Sequence, residues 1–126
     1  MVGLVIVSHS QKLEESVKEL TALMAPAAPV AAAGGMSDGG FGTCFEKIRD
    51  AIESVYSEDG VLVLMDLGSA VMTTEMVVEL FEDKLVEMVD CPLVEGAVVG
   101  SIDAVGGMTF EAIKADLAKV GTTPKF

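Results

Sequence analysis

Val61-Leu62-Val63-Leu64-Met65-Asp66-Leu67-Gly68-Ser69-Ala70 changes character within one residue. Its first half is an unbroken apolar run with no polar alternation, which suits a parallel strand buried on both faces. Asp66 ends the run, and Gly-Ser-Ala opens a helical pattern. The N-terminal stretch Leu4-Val5-Ile6-Val7-Ser8-His9-Ser10 is built the same way, and it holds the one histidine of the chain. In an open parallel sheet, ligands bind beyond the carboxyl ends of the strands. If these two strands are neighbours, His9 and Asp66 meet at such an end, and the function predicted is a reaction of His9.

Working outward, residues 2–7 read as the first strand. A helix over Gln11–Ala25 follows, with Leu13, Val17, Leu20 and Leu23 at helical spacing and Glu14, Glu15, Lys18 and Glu19 between them. Ser10 is placed to cap that helix, and Pro26 and Pro29 close it. Pro29–Ala33 is a weakly signalled second strand, because alanine is a poor strand former. The glycine-rich loop Gly34–Thr43 leads into a helix whose apolar face is Phe45, Ile48, Ile52 and Val55. This loop matches neither a P-loop nor a dinucleotide fingerprint. Ser69–Phe81 reads as a helix with Ala70, Val77 and Leu80 inward and Met72, Met76 and Phe81 beside them, a methionine stripe expected in the core or at a dimer contact. Leu85–Val89 is a fourth strand. Pro92 suits the first position of a helix, carried on by Val94, Val98, Ile102 and Val105, with Gly96 and Gly100 four apart for a close approach. Gly106-Gly107 end it, and Thr109 caps a last helix with Phe110, Ile113 and Leu117 inward. Alternating strands and helices imply right-handed parallel crossovers. The expected fold is α/β: a doubly wound, mainly parallel sheet of about four to five strands with helices on both faces. Residues 1–120 form a single domain and 121–126 a tail.

Composition narrows the function classes. Twenty acidic against eight basic side chains give a net charge of −12, which disfavours nucleic acid and anionic membranes as partners and favours a partner with a basic face. The hydrophobic share is 51% and the mean hydropathy +0.53, so the core is very apolar and an oligomer face is expected. No apolar run reaches the ~20 residues of a membrane span, and no basic leader precedes the first run. Cys44 and Cys91 are too few for a disulfide framework, and one histidine makes no zinc set. A reducing cytoplasm fits, with both cysteines as core fillers rather than nucleophiles.

The chemistry follows from residue types. A neutral imidazole is a nucleophile near pH 7. A carboxylate bonded to one ring N–H fixes the tautomer, turns the other nitrogen outward and stabilises the cation formed on attack. Behind Asp66, the N–H groups of Leu67, Gly68, Ser69 and Ala70 would stand at a helix N-terminus, which favours a phosphoryl group. The plainer alternative is a packing histidine beside an aspartate that only caps its helix. A hydrolase triad is disfavoured, because Ser8 and Ser10 sit in no Gly-x-Ser-x-Gly elbow. A receiver domain would place its phosphorylated aspartate where Asp66 lies, but it needs acidic residues where this chain has Ser8-His9-Ser10.

Several stretches together resemble a known family: Val5-Ile6-Val7-Ser8-His9-Ser10, Ala32-Ala33-Gly34, Gly42-Thr43, Ala51-Ile52-Glu53, Val61 to Ala70, and Cys91-Pro92-Leu93-Val94-Glu95-Gly96-Ala97. They resemble the DhaM family, the phosphoryl-donor subunits of phosphotransferase-dependent dihydroxyacetone kinases, whose domain is similar to the mannose-type EIIA domain. The resemblance runs from residue 1 to about 120. It implies a phosphohistidine relay: HPr, charged from phosphoenolpyruvate through enzyme I, phosphorylates His9 on Nε2, and His9 passes the group to ADP held in a DhaL subunit that works with DhaK. It implies Asp66 as the orienting carboxylate, Gly68, Ser69 and Ala70 lining the phosphoryl group, Gly42 and Thr43 nearby, a homodimer, and no cofactor beyond the covalent phosphoryl group. Some relatives fuse HPr-like and enzyme I-like domains behind this one, and their absence here implies separate donors. An EIIA domain serving a sugar permease and a non-catalytic anion-sensing module are the alternatives.

Overall fold

The computed structural model describes residues 1–126. Strand β1 (Gly3–Ser8) leads into helix α1 (Gln11–Met24), then β2 (Val30–Gly34), α2 (Phe45–Val55), β3 (Val61–Met65) and α3 (Gly68–Val78). A 3₁₀ turn at Glu79–Phe81 precedes β4 (Val86–Met88), α4 (Leu93–Val105), α5 (Phe110–Lys119) and a last 3₁₀ turn at Val120–Thr122. The sheet is four-stranded, in the order β2-β1-β3-β4, and every pair is parallel. The expected sheet of parallel strands with helices on both faces is present.

Period-two alternation in the inner strands builds two cores. Val5, Val7, Val61, Val63 and Met65 face Ile48 and Ile52 of α2 and Ala70 and Val77 of α3. Leu4, Ile6, Leu62 and Leu64 face Val17 of α1, Ala97 and Ala104 of α4, and Ile113 and Leu117 of α5. All residues of β1 and β3 are buried, which is why both read as continuous apolar runs. Burying each large side chain favours folding by roughly 1.5–3 kcal/mol. Chain reversal fixes the site: from β1 the chain crosses to β2 on one side, then to β3 on the other. The carboxyl ends of β1 and β3 therefore diverge into helices on opposite faces, and the crevice between them is the topological switch point.

Two helices, α1 and α4, sit in a different rotation from the one their apolar periodicity suggests, whereas α3 buries Ala70 and Val77 as expected and departs only at its end. On α1 the buried stripe is Glu14, Val17 and Thr21, while Leu13, Leu20 and Leu23 face outward. The expected solvent-facing Glu14 is covered; burial, then the neighbouring Glu15, pushes its carboxyl above the ordinary 4.5, and Lys18 and Lys47 oppose the shift. On α4 the buried side is Gly96, Ala97, Gly100, Ser101 and Ala104, and Val94, Ile102 and Val105 are exposed. Small residues win that face because the helix lies tight against the sheet and α5: a Cβ at Gly100 would stand 3.2 Å from Leu4 and 3.5 Å from Leu117. On α3 the change to 3₁₀ winding advances the phase, so Phe81 turns into the core and Leu80 turns out, 56% exposed. Met72 and Met76 are exposed, not core. Pro92 is the residue before α4 rather than its first, and β4 keeps only the middle of Leu85–Val89. The chain end past α5 is not wholly a free tail, since Lys125 pairs with Glu95 at 3.2 Å. Cys44 is half-buried at the start of α2, outside the core, with its thiol donating to Glu46 at 3.4 Å.

Candidate active site

At the switch point Val7 pairs with Met65, so the next residues on each strand, Ser8-His9 and Asp66, emerge side by side. The Asp66 amide donates to the Val7 carbonyl at 3.2 Å, extending the ladder by one rung. The carboxylate of Asp66 then accepts four hydrogen bonds. Oδ1 takes His9 Nδ1–H at 2.9 Å and the Leu67 amide at 2.7 Å. Oδ2 takes the His9 amide at 3.0 Å and the Ser8 hydroxyl at 2.9 Å. Partial burial works to raise the Asp66 carboxyl. The bonds from His9, Ser8 and Leu67 outweigh it and leave the group below its ordinary 3.8. Asp66 is therefore ionised near neutrality, acts only as an acceptor, and requires the proton of the His9 ring on Nδ1.

That leaves the Nε2 lone pair directed outward, where the hydroxyl of Ser69 is in hydrogen-bonding contact with it. The ring is 24% exposed. Ser69 sits in the first turn of α3. Of the amides expected to be free there, Leu67 is taken by Asp66 and Ala70 by the Leu67 carbonyl at 3.0 Å. Gly68 and Ser69 keep amides without an intrahelical partner. Ala70 thus offers no free donor; it is fully buried in the core beneath the turn. Nothing stands within 4 Å of where a Cβ at Gly68 would lie, so the space above this turn is open.

The glycine-rich loop reaches the site through backbone and a hydroxyl latch. Gly42 adopts φ +134°, a region that suits glycine, and donates its amide to the His9 carbonyl at 2.9 Å. Thr43 bonds Thr73 at 2.9 Å, and Thr73 donates to the Ser69 carbonyl at 3.1 Å. Gly42 and Thr43 accordingly brace the loop against His9 and α3; neither the Gly42 amide nor the Thr43 hydroxyl is free for a ligand. Thr73 escaped the sequence reading, although its place one turn after Ser69 put it on the same helix face. Cys91 packs by its thiol against Gly96, and burial, with Asp90 beside it, pushes that thiol up to about 11, so it is no nucleophile near neutral pH. No group of three or more His, Cys, Asp or Glu side chains that could hold a metal ion is assembled.

The family model for mannose-type EIIA, described as the PTS system fructose IIA component, matches residues 3–116. The phosphotransferase subunit DhaM of the PTS-dependent dihydroxyacetone kinase of Lactococcus lactis is 40% identical over 118 residues, covering 94% of each chain. The chain belongs to the DhaM family of mannose-type EIIA proteins. A second DhaM phosphoryl-donor subunit, from Listeria innocua, is 32% identical and covers 95% of this chain and 99% of its own. The DhaM of Escherichia coli is 40% identical, and there the match spans only 26% of a longer protein. Among solved structures, a protein of unknown function shares the fold at TM-score 0.85 with 33% identity, covering 97% of this chain and 96% of its own. A phosphotransferase EIIA component from Streptococcus agalactiae shares it at TM-score 0.73 with 15% identity, covering 97% and 93%. That second likeness bears on the fold alone.

Proposed function

We propose that this DhaM-family chain is a phosphohistidine carrier, with His9 Nε2 taking a phosphoryl group from phospho-HPr and giving it to ADP held in a DhaL subunit. DhaL, with DhaK, then phosphorylates dihydroxyacetone. The observation that carries the reading is the Asp66–His9 pair, which directs Nε2 at the first turn of α3. In the first step the Nε2 lone pair attacks phosphorus, the Nε2–P bond forms, and the donor's P–N bond breaks, with its electron pair returning to the donor imidazole. The ring becomes cationic and Asp66 faces that charge through Nδ1–H. Ser69 releases Nε2 and turns its hydroxyl to a phosphoryl oxygen, joined by the free amides of Gly68 and Ser69 and the positive end of α3. In the second step a terminal oxygen of ADP attacks the same phosphorus and the Nε2–P bond breaks.

The reading needs no cofactor beyond the covalent phosphoryl group and places the protein in the cytoplasm with its partners. No helix is long and apolar enough to cross a membrane. A homodimer is part of the proposal: α1 and α4 pack side by side and leave Leu20, Leu23, Ile102 and Val105 exposed. Sedimentation equilibrium tests it, and a monomer at micromolar concentration would remove it.

The name of the matching family model favours a second reading, an EIIA domain serving a sugar permease. Both are tested by passing labelled phosphate from phosphoenolpyruvate through enzyme I and HPr to the protein, then adding DhaL–ADP. Acid-labile, base-stable label that requires His9 and drains into nucleotide supports the kinase relay. Label that enters and does not drain points to the permease. No label on His9 overturns both.

A further inference from the structure

Ser8 is the last residue of β1 and is 0% exposed. Its hydroxyl oxygen accepts the Ser10 amide at 3.0 Å and lies 2.9 Å from Asp66 Oδ2. An amide can only donate and an ionised carboxylate can only accept, so the single hydroxyl proton has one direction left, toward Asp66. With the His9 amide on the same oxygen, Oδ2 is held from two sides, and the carboxylate cannot rotate about its Cβ–Cγ bond without breaking both. Oδ1 is thereby kept for His9 Nδ1.

We propose that Ser8 is a positioning residue for the phosphohistidine site: its hydroxyl locks the rotation of the Asp66 carboxylate, which in turn sets the Nδ1–H tautomer and the aim of Nε2. The inference rests on reading His9 as the phosphoryl acceptor. It divides the two serines flanking His9 between different tasks. Ser10 caps α1, its hydroxyl accepting the Leu13 amide at 3.2 Å, and it touches no group of the carboxylate. The two hydroxyls are two residues apart and chemically identical, yet only one bears on the reaction.

The experiment compares Ser8→Ala with Ser10→Ala in the full chain. Ring ¹⁵N shifts of His9 report the tautomer in the unphosphorylated protein. Phosphoramidate reports phosphoryl acceptance without protein docking: its P–N bond breaks as Nε2–P forms, and ammonia leaves. Ser8→Ala is expected to replace the single Nδ1–H form by a mixture of tautomers. It should also slow phosphorylation about tenfold, the low end of what losing a hydrogen bond to a charged group brings. Ser10→Ala is expected to lower Tm while leaving tautomer and rate at wild-type values. A Ser8→Ala protein with wild-type tautomer and rate overturns the proposal. So does an equal loss in Ser10→Ala, which would trace the effect to the turn. If Ser8→Ala does not fold, Ser8→Cys keeps the volume with a weaker donor and should fall between alanine and wild type; wild-type behaviour there overturns the proposal as well. Wild-type protein that takes up no phosphoryl group at all would overturn the carrier reading together with this one, a result distinct from Ser8→Ala merely matching an active wild type.

Discussion

Asp66→Asn keeps the side chain's shape while removing its charge and half of its capacity to accept. Four donors converge on the carboxylate: His9 Nδ1–H, the Leu67 amide, the His9 amide and the Ser8 hydroxyl. A carboxamide has one oxygen and one NH₂, so two of the four must face a donor. If the oxygen keeps the Oδ1 place, the His9 amide is orphaned, and a backbone N–H cannot turn away. If the oxygen takes the Oδ2 place, His9 must present a bare Nδ1 and carry its proton on Nε2, the atom proposed to attack phosphorus. An unpaired, part-buried donor costs about 1–3 kcal/mol, so a stability loss of that size is expected in urea. Loss of the charged partner of the ring costs the transfer step roughly 1.5–3 kcal/mol, which is about tenfold to two-hundredfold in rate. Rapid-quench transfer of labelled phosphoryl from phospho-HPr measures it, with phosphoramidate alongside. Rates within twofold of wild type from both donors would refute the orienting role. A loss confined to phospho-HPr would mean that Asp66 serves docking instead. The pH dependence has a defined sign. The folded Asp66 carboxyl lies below its ordinary 3.8, so its contribution is present above that value and is lost as pH falls through the lower folded value. Asp66→Asn should flatten that acid limb.

Three further outcomes follow from the same structure. His9→Ala should fold with a Tm within about 4 °C of wild type, less than 1 kcal/mol for a domain this size, because the ring lies outside both cores. It should take no label, and a large stability loss would make His9 structural. Asp103 is pushed up to about 7 by burial and by the hydrogen bond and charge of Asp116 beside it. A raised folded value means stability is greatest at low pH and is lost as pH rises from the ordinary 3.8 through 7. Asp103→Asn should abolish that loss, so urea midpoints at pH 5 and pH 8 that fall alike in both proteins would contradict it. Gly100→Leu drives a side chain into the space of Leu4 and Leu117 and should destabilise by about 1–3 kcal/mol, visible as a lower Tm by differential scanning calorimetry; an unchanged Tm would mean that α4 can slide outward.

Much of the fold was legible because β1 and β3 are inner strands of a parallel sheet. Both faces must be apolar, and the runs Leu4–Val7 and Val61–Met65 carry that requirement openly. The site was legible for the same reason: polar residues appear where a buried strand ends, so His9 and Asp66 stood out against apolar neighbours. Helix rotation was not legible in α1 and α4. Periodicity marks an apolar stripe but does not say which of two adjacent stripes meets the sheet. On α4 the closeness of packing selected Gly96, Gly100 and Ala104 over the larger Val94, Ile102 and Val105.

By itself the sequence determined the strand–helix order, the two strand ends and the residue types able to carry a phosphoryl group, since these depend on local pattern and composition. Only the tertiary structure decided how they are joined. The order β2-β1-β3-β4 brings Ser8 and Asp66 within 2.9 Å across 58 residues of chain. The geometry of that meeting then decides which hydroxyl faces the carboxylate, which amides of α3 stay free, and that the Thr43 hydroxyl is engaged by Thr73. Hydrogen bonds are short-ranged and directional, so residues far apart in the chain acquire these roles only once the strands are in register.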